Sequence, residues 1–352
     1  MNPAKKLMLS ILVVLTLSAV TAQSELSDPY EILNRHYEAS GGLERLKAQE
    51  TSYLEASLLL VGTGLEGNMI QWSSSPIRSR LEVDLKVIKQ VSGDNGEYAW
   101  TVDQNGKLQI RRDEETLKER RLQILLAQYD HLDRNSEVFT LDFEGVDTAA
   151  GVDCYVVRMS NSINKDVSTQ YYDKSTFMLV RTVAVSPEGE NHTLYSDYRE
   201  VDGISFAFKL ESTQFPTGMK QMVTFTKVEM DVPIDESLFE PPSFDAEDFR
   251  FTNGRSAENI SFQFIENHIY LPVEVGGKMR LWVLDTGASA TVIDEAFARE
   301  LGLTLEGNIK GQGAGNLVDV SFTTLPAFSL LGLEFDEQRA ASIKIGWLFD
   351  RW

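Results

Sequence analysis

Hydrophobic and polar positions change their period along this 352-residue chain. Between 28 and 50, Tyr30, Leu33, Tyr37, Leu43 and Leu46 recur near helical spacing, interrupted by Gly41-Gly42, which predicts two short helices rather than one. From about 52 to 230 the period becomes two, as in Glu55 to Val61, Leu81 to Leu85 and Gln221 to Phe225. Turn signals punctuate these runs at Gly93-Asp94-Asn95-Gly96, Gln104-Asn105-Gly106, Pro187-Glu188-Gly189 and Asp202-Gly203. One stretch, Glu114 to His131, reads as a helix. The sum predicts a mainly β, α+β arrangement with a many-stranded antiparallel sheet and a few helices. Pro241, Pro242 and a run of acidic residues mark a linker at 243–257, so the expected domains are 25–242 and 258–352.

The first 22 residues read as a signal peptide. Lys5 and Lys6 precede an apolar run, Leu7 to Val20, too short to span a bilayer comfortably, and Val20-Thr21-Ala22 supplies small residues for cleavage after Ala22. This predicts export to the periplasm or the extracellular space, with a mature chain that is soluble. The formal charge of −20, from 53 acidic and 33 basic side chains, opposes nucleic-acid phosphates and argues against a nucleic-acid partner. The single cysteine, Cys154, has no internal disulfide partner and lies in an apolar strand-like run, which predicts a buried small hydrophobe. His36, His131, His192 and His268 show no metal-ligand spacing, so neither a metal nor a cofactor is expected.

Four phrases of the N-terminal part resemble a bacterial family of outer-membrane lipoprotein-sorting-like proteins. They are Gly41-Gly42-Leu43-Glu44-Arg45-Leu46, Tyr171 to Thr176, Ser196 to Gly203 and Val232 to Phe239. The resemblance implies a curved antiparallel half-barrel with helices across its mouth, able in better-known members to hold acyl chains. Alternation requires that the apolar face be covered. Leu58, Leu60, Trp72, Trp100 and Phe143 are expected either to pack as core or to line a cavity for an acyl or lipid ligand.

The strongest chemical signal is Leu281-Trp282-Val283-Leu284-Asp285-Thr286-Gly287-Ala288-Ser289-Ala290-Thr291-Val292-Ile293. Apolar strands flank an Asp-Thr-Gly turn that exposes a carboxylate. Gly287 permits a close backbone approach that a Cβ would block, and Thr286 is stiff at χ1. This pattern resembles the active-site loop of retropepsin-like aspartic proteases, over roughly 258–345. The resemblance implies an all-β single-lobe domain in which Asp285, Thr286 and Gly287 are catalytic. Two carboxylates about 3 Å apart share one proton and activate water. The chain holds one Asp-Thr-Gly, so the second aspartate comes from a homodimer.

Asp294 is expected to cap a helix from Glu295 to Leu301, stopped by Gly302. The glycine-rich stretch Gly311, Gln312, Gly313, Ala314 and Gly315 lies where the family places its substrate flap. The strand that crosses behind the loop in the family has its counterpart here at Ile343 to Trp347, and the domain is expected to be incomplete at its C-terminus. The first functional expectation is an exported aspartic-type endopeptidase acting on peptide or protein substrates. The alternative is a periplasmic lipid- or lipoprotein-binding carrier with a degenerate, inactive protease-like domain.

Overall fold

The computed structural model describes residues 26–345 apart from 104, 188, 243–248, 287, 289 and 313–316. The expected signal peptide, 1–22, lies outside the described residues. Two helices form where the glycine pair predicted a break, α1 (Pro29–Ala39) and α2 (Leu43–Ala48). Asp28 caps α1, accepting from the Tyr30 N–H at 3.1 Å. Gly41 adopts φ +124°, and a Cβ there would stand 2.3 Å from the Gly203 carbonyl oxygen. The break therefore lets two glycine turns, at 41–42 and 202–203, touch directly.

Six strands follow: β1 (Thr51–Leu60), β2 (Leu65–Ser74), β3 (Arg78–Asp84), β4 (Lys89–Asp94), β5 (Ala99–Val102) and β6 (Leu108–Arg111). Helix α3 (Glu114–Ala127), capped by Asp113, and a 3-10 turn at Asp130–Leu132 lead to seven more. These are β7 (Phe139–Ala149), β8 (Val152–Asn161), β9 (Val167–Asp173), β10 (Leu179–Ser186), β11 (Gly189–Val201), β12 (Ile204–Phe215) and β13 (Met219–Met230). All thirteen join one antiparallel sheet in the order β6-β5-β4-β3-β2-β1-β13-β12-β11-β10-β9-β8-β7. Sequence neighbours pair everywhere except β6 and β7, and one pairing joins strands distant in sequence. β1 pairs β13, and β6 and β7 occupy opposite edges. Helix α3, about 21 Å long at 1.5 Å per residue, lies in the connection between those two strands. The result is a curved half-barrel, left open between β6 and β7.

Register assigns the helices to one face. Ser52, Ser73, Ser79 and Asp94 lie opposite one another across β1 to β4, on the face that also carries Leu54, Leu58 and Leu60. Arg120 of α3 grips Asp94 there at 2.5 and 3.1 Å. The same face continues through Ser212, Thr193, Thr182, Gln170 and Val157, and α1 packs on it through Ile32 and Leu33. Leu58, Leu60 and Phe143 belong to clusters on this face. Trp72 and Trp100 do not. They alternate onto the opposite side, where Trp72 meets Tyr53 and the Trp100 indole N–H donates to the Phe239 carbonyl at 2.8 Å. The five residues thus line no common surface. Cys154 is fully buried, and burial pushes its thiol pKa up.

The expected linker contributes a strand of its own, β14 (Phe249–Phe251). It is followed by β15 (Gln263–Ile265), β16 (His268–Val275), β17 (Lys278–Val283), β18 (Val292–Asp294), helix α4 (Glu295–Glu300), β19 (Glu306–Gln312), β20 (Leu317–Leu325), β21 (Phe328–Leu330), β22 (Leu333–Phe335) and β23 (Gln338–Ile343). One sheet runs β14-β22-β21-β16-β15 with β17 on the other side of β16, and a second runs β18-β23-β20-β19. Ile293, Ala298, Leu325 and Ala340 form the core between the second sheet and α4. Among the described residues no helix is long and apolar enough to cross a membrane.

Candidate active-site loop

The residues of the Asp-Thr-Gly pattern stand between two anchored strands. On the entry side, β17 pairs β16 through Tyr270 opposite Val283, and the Leu284 N–H donates to the Ile269 carbonyl at 2.9 Å. Alternation sends Trp282 into the core of the second sheet while Met279, Leu281 and Val283 share the exposed side of the strand. Asp285 and Thr286 follow, both exposed. The Ala288 N–H turns back to the Asp285 carbonyl at 3.3 Å. Gly287 lies outside the described residues.

On the exit side, the Thr291 carbonyl accepts from the Ala341 N–H at 2.9 Å, and β18 then runs parallel to β23 with Val292 opposite Ala341. The strand beside the loop was expected at Ile343 to Trp347. The structure places a strand beside the loop at Gln338–Ile343, where Gln338, Ala340 and Ser342 alternate inward, while Gly346 and Trp347 of the expected segment lie outside the described residues. Lys344 is thereby spared a buried strand position. Asp294 does cap α4, accepting from Ala296 and Phe297 at 2.9 and 3.2 Å, and its second oxygen accepts from the Ile345 N–H at 3.0 Å. One short carboxylate thus ties the helix start to the segment after β23. Glu300 at the far end of α4 holds Lys278 and Arg280, and the Lys278 hydrogen bond keeps its carboxyl below the usual range.

The flap expectation falls partly within the described residues. Gly311 and Gln312 end β19, which pairs β20 in register Gln312 opposite Leu317, so β19 and β20 are the arms of a hairpin. Gly313, Ala314 and Gly315 lie outside the described residues. Gly311 faces Val320, whose Cγ2 would stand 2.8 Å from an added Cβ. Among the described residues no group of three or more His, Cys, Asp or Glu could hold a metal ion.

Two residues at this site carry no sequence signal. Arg339 of β23 gives its backbone N–H to the Asn105 side-chain oxygen of the large sheet's domain at 2.9 Å, across 234 residues. Its guanidinium reaches the Lys86 carbonyl at 3.4 Å. Asn105 reads in sequence only as part of a turn.

Residues 271–349 match a family model described as Aspartyl protease, which includes the whole loop and both flanking strands. No curated protein matches the chain. Among solved structures, the chain is similar to a DUF1329 family protein from Desulfovibrio piger at 14% identity, covering 61% of this chain and 98% of that one, with a TM-score of 0.42. It is similar to a LolA superfamily protein from Nitrosomonas europaea at 10% identity, covering 62% and 99%, with a TM-score of 0.42. A third is the Mycobacterium tuberculosis lipoprotein LppX, at 12% identity, 59% and 99% coverage and a TM-score of 0.27.

Proposed function

We propose that the chain is an exported aspartic-type endopeptidase whose reacting group is Asp285, paired with Asp285 of a second copy. The observation that carries this reading is the exposed Asp285-Thr286 pair, held between two anchored strands inside the segment that matches the aspartyl protease model. Two such carboxylates brought face to face cannot both ionise, so one proton is shared. The charged member takes a proton from a bound water as the water oxygen bonds to the substrate carbonyl carbon. The neutral member gives its proton to the carbonyl oxygen. As the tetrahedral species collapses, the amide nitrogen leaves with a proton, and the dyad again holds one.

Several features support the dimer and the domain roles within this reading. Met279, Leu281 and Val283 form an exposed apolar row on β17, directly before the loop, suited to meeting a second copy. In this reading the β19–β20 hairpin carries the flap, with Gly311 to Gly315 as its glycine-rich stretch in sequence, and Asp285, Thr286 and Gly287 are the catalytic triplet. Residues 1–22 direct export and are cleaved, 25–242 form the lipoprotein-sorting-like domain, and 258–352 carry the chemistry.

Peptide hydrolysis by the full-length mature chain across pH 3–7, beside Asp285→Asn, tests the reading. Activity lost by about a hundredfold or more in the variant supports it. Equal activity in both proteins sinks it.

A carrier reading is favoured by one observation. An open cleft of about 590 Å³ lies beside Val61, Leu194 and Met222, with Arg181, Lys220 and Glu211 on its wall, a mixture suited to an acyl chain with a polar head. Co-purified lipid in an inactive protein would promote it.

A further inference from the structure

The strand that backs the candidate loop is held by both domains. β23 gives the Ala341 N–H to the Thr291 carbonyl, at the loop's exit. Alternation points the N–H two residues earlier, that of Arg339, to the same side of the strand. The loop does not receive that N–H. Asn105 receives it through Oδ1 at 2.9 Å. Asn105 is itself fixed in the turn between β5 and β6, where the Asp103 carboxylate accepts from the Asn105 and Lys107 N–H groups at 2.9 and 3.0 Å.

Two further contacts hold the same pair of domains together. The Asn308 N–H donates to the Thr63 carbonyl at 3.1 Å. Ile309 and Phe322, on the outward face of the β19–β20 hairpin, pack into the cluster that contains Leu65, Leu85 and Val87. Gly307 leaves room for this approach, since a Cβ there would stand 2.8 Å from the Leu65 side chain. The second sheet is therefore clamped between α4 on one face and the large sheet's apolar rim on the other.

We propose that Asn105 is a positioning residue for the Asp285 loop. It extends the row of acceptors along β23 past Thr291, so that the N-terminal domain sets where β23, and through it the loop's exit, stands. The consequence for hydrolysis rests on the peptidase reading of Asp285. The dock itself does not. Nothing in this role asks Asn105 to touch substrate; it acts through the Arg339 N–H and the strand that carries it.

The test is hydrogen exchange in the full-length chain. Asn105→Ala should raise exchange at Arg339 and across Thr291 to Asp294 by about fivefold or more, the scale of one lost hydrogen bond, with β7 to β9 unchanged. Asn105→Asp keeps an acceptor and should restore protection. Where hydrolysis is measurable, kcat should fall with KM unchanged in Asn105→Ala and recover in Asn105→Asp. Exchange at Arg339 that does not respond to Asn105→Ala overturns the proposal. So does a loss that Asn105→Asp fails to rescue, because it would assign Asn105 to packing of its own turn. A second variant, Thr63→Cys with Asn308→Cys, should close a disulfide under mild oxidation in a chain whose native cysteine is buried. Free thiols at both positions in the folded chain would overturn the dock. Exchange and cross-linking read the dock without activity, so an inactive protein leaves them decided.

Discussion

Tyr37 of α1 and His131 of the turn after α3 share a hydrogen bond of 2.7 Å between the phenol oxygen and Nε2. This contact joins the first helix to the turn that leads from α3 into β7. His131 is buried, and its Nδ1 has no hydrogen-bonding partner among the described residues. Burial lowers its pKa from 6.5 to about 4, with Asp130 opposing the shift. Tyr37 is pushed well above its ordinary range for the same reason.

The His131 shift sets a pH window. The folded state keeps the imidazole neutral, whereas the unfolded chain protonates it below about 6.5. Its contribution is therefore fully present above pH 6.5 and is lost as pH falls toward 4. The span is about 3 kcal/mol. Urea unfolding at pH 7 and pH 4 should show a smaller acid loss in His131→Phe than in the parent. An identical loss in both would contradict the assignment.

Asp94 and Arg120 hold α3 on the sheet. Both side chains are largely buried, at 7% and 13% exposure, so removing one leaves the other charge uncompensated. Arg120→Ala should cost about 3–5 kcal/mol. The double variant Asp94→Asn with Arg120→Met should recover part of that loss, read as the midpoint of thermal unfolding.

Gly41→Ala forces a left-handed backbone and a clash with Gly203 at once. We expect a loss of about 2 kcal/mol or more, above the usual glycine-to-alanine effect. Gly42→Ala, where an added Cβ meets nothing within 4 Å, should cost less. Equal losses would show that backbone strain alone, not the contact, decides.

Trp100 is fully buried and its indole N–H satisfies the Phe239 carbonyl. Trp100→Phe keeps most of the apolar contact and removes the donor. About 1–3 kcal/mol should be lost, and exchange should rise at Ser237 to Glu240 before it rises elsewhere in the sheet. A uniform rise would place the cost in core packing.

Local chemistry made much of this protein legible before any fold was known. Period-two alternation from 52 to 230 announced a sheet, Gly41-Gly42 broke the first helical stretch, and Asp294 and Gly302 bounded α4. The Asp285 loop stood out because apolar strands flank a turn that exposes a carboxylate. Each of these signals acts within a few residues, where backbone sterics and capping hydrogen bonds are decided. Which strands pair is another matter. Alternation shows that a strand has two faces but not which partner it meets, so the β1–β13 pairing and the separation of β6 from β7 had no sequence mark. The same holds for β23, whose backing of the loop was expected a few residues later, and for Asn105, which looks like any turn asparagine. The sequence by itself determined the strands, the helix ends and the exposed aspartate. Tertiary structure alone decided that Arg339 finds its acceptor in Asn105, because that hydrogen bond depends on chain segments brought together by the packing of both sheets.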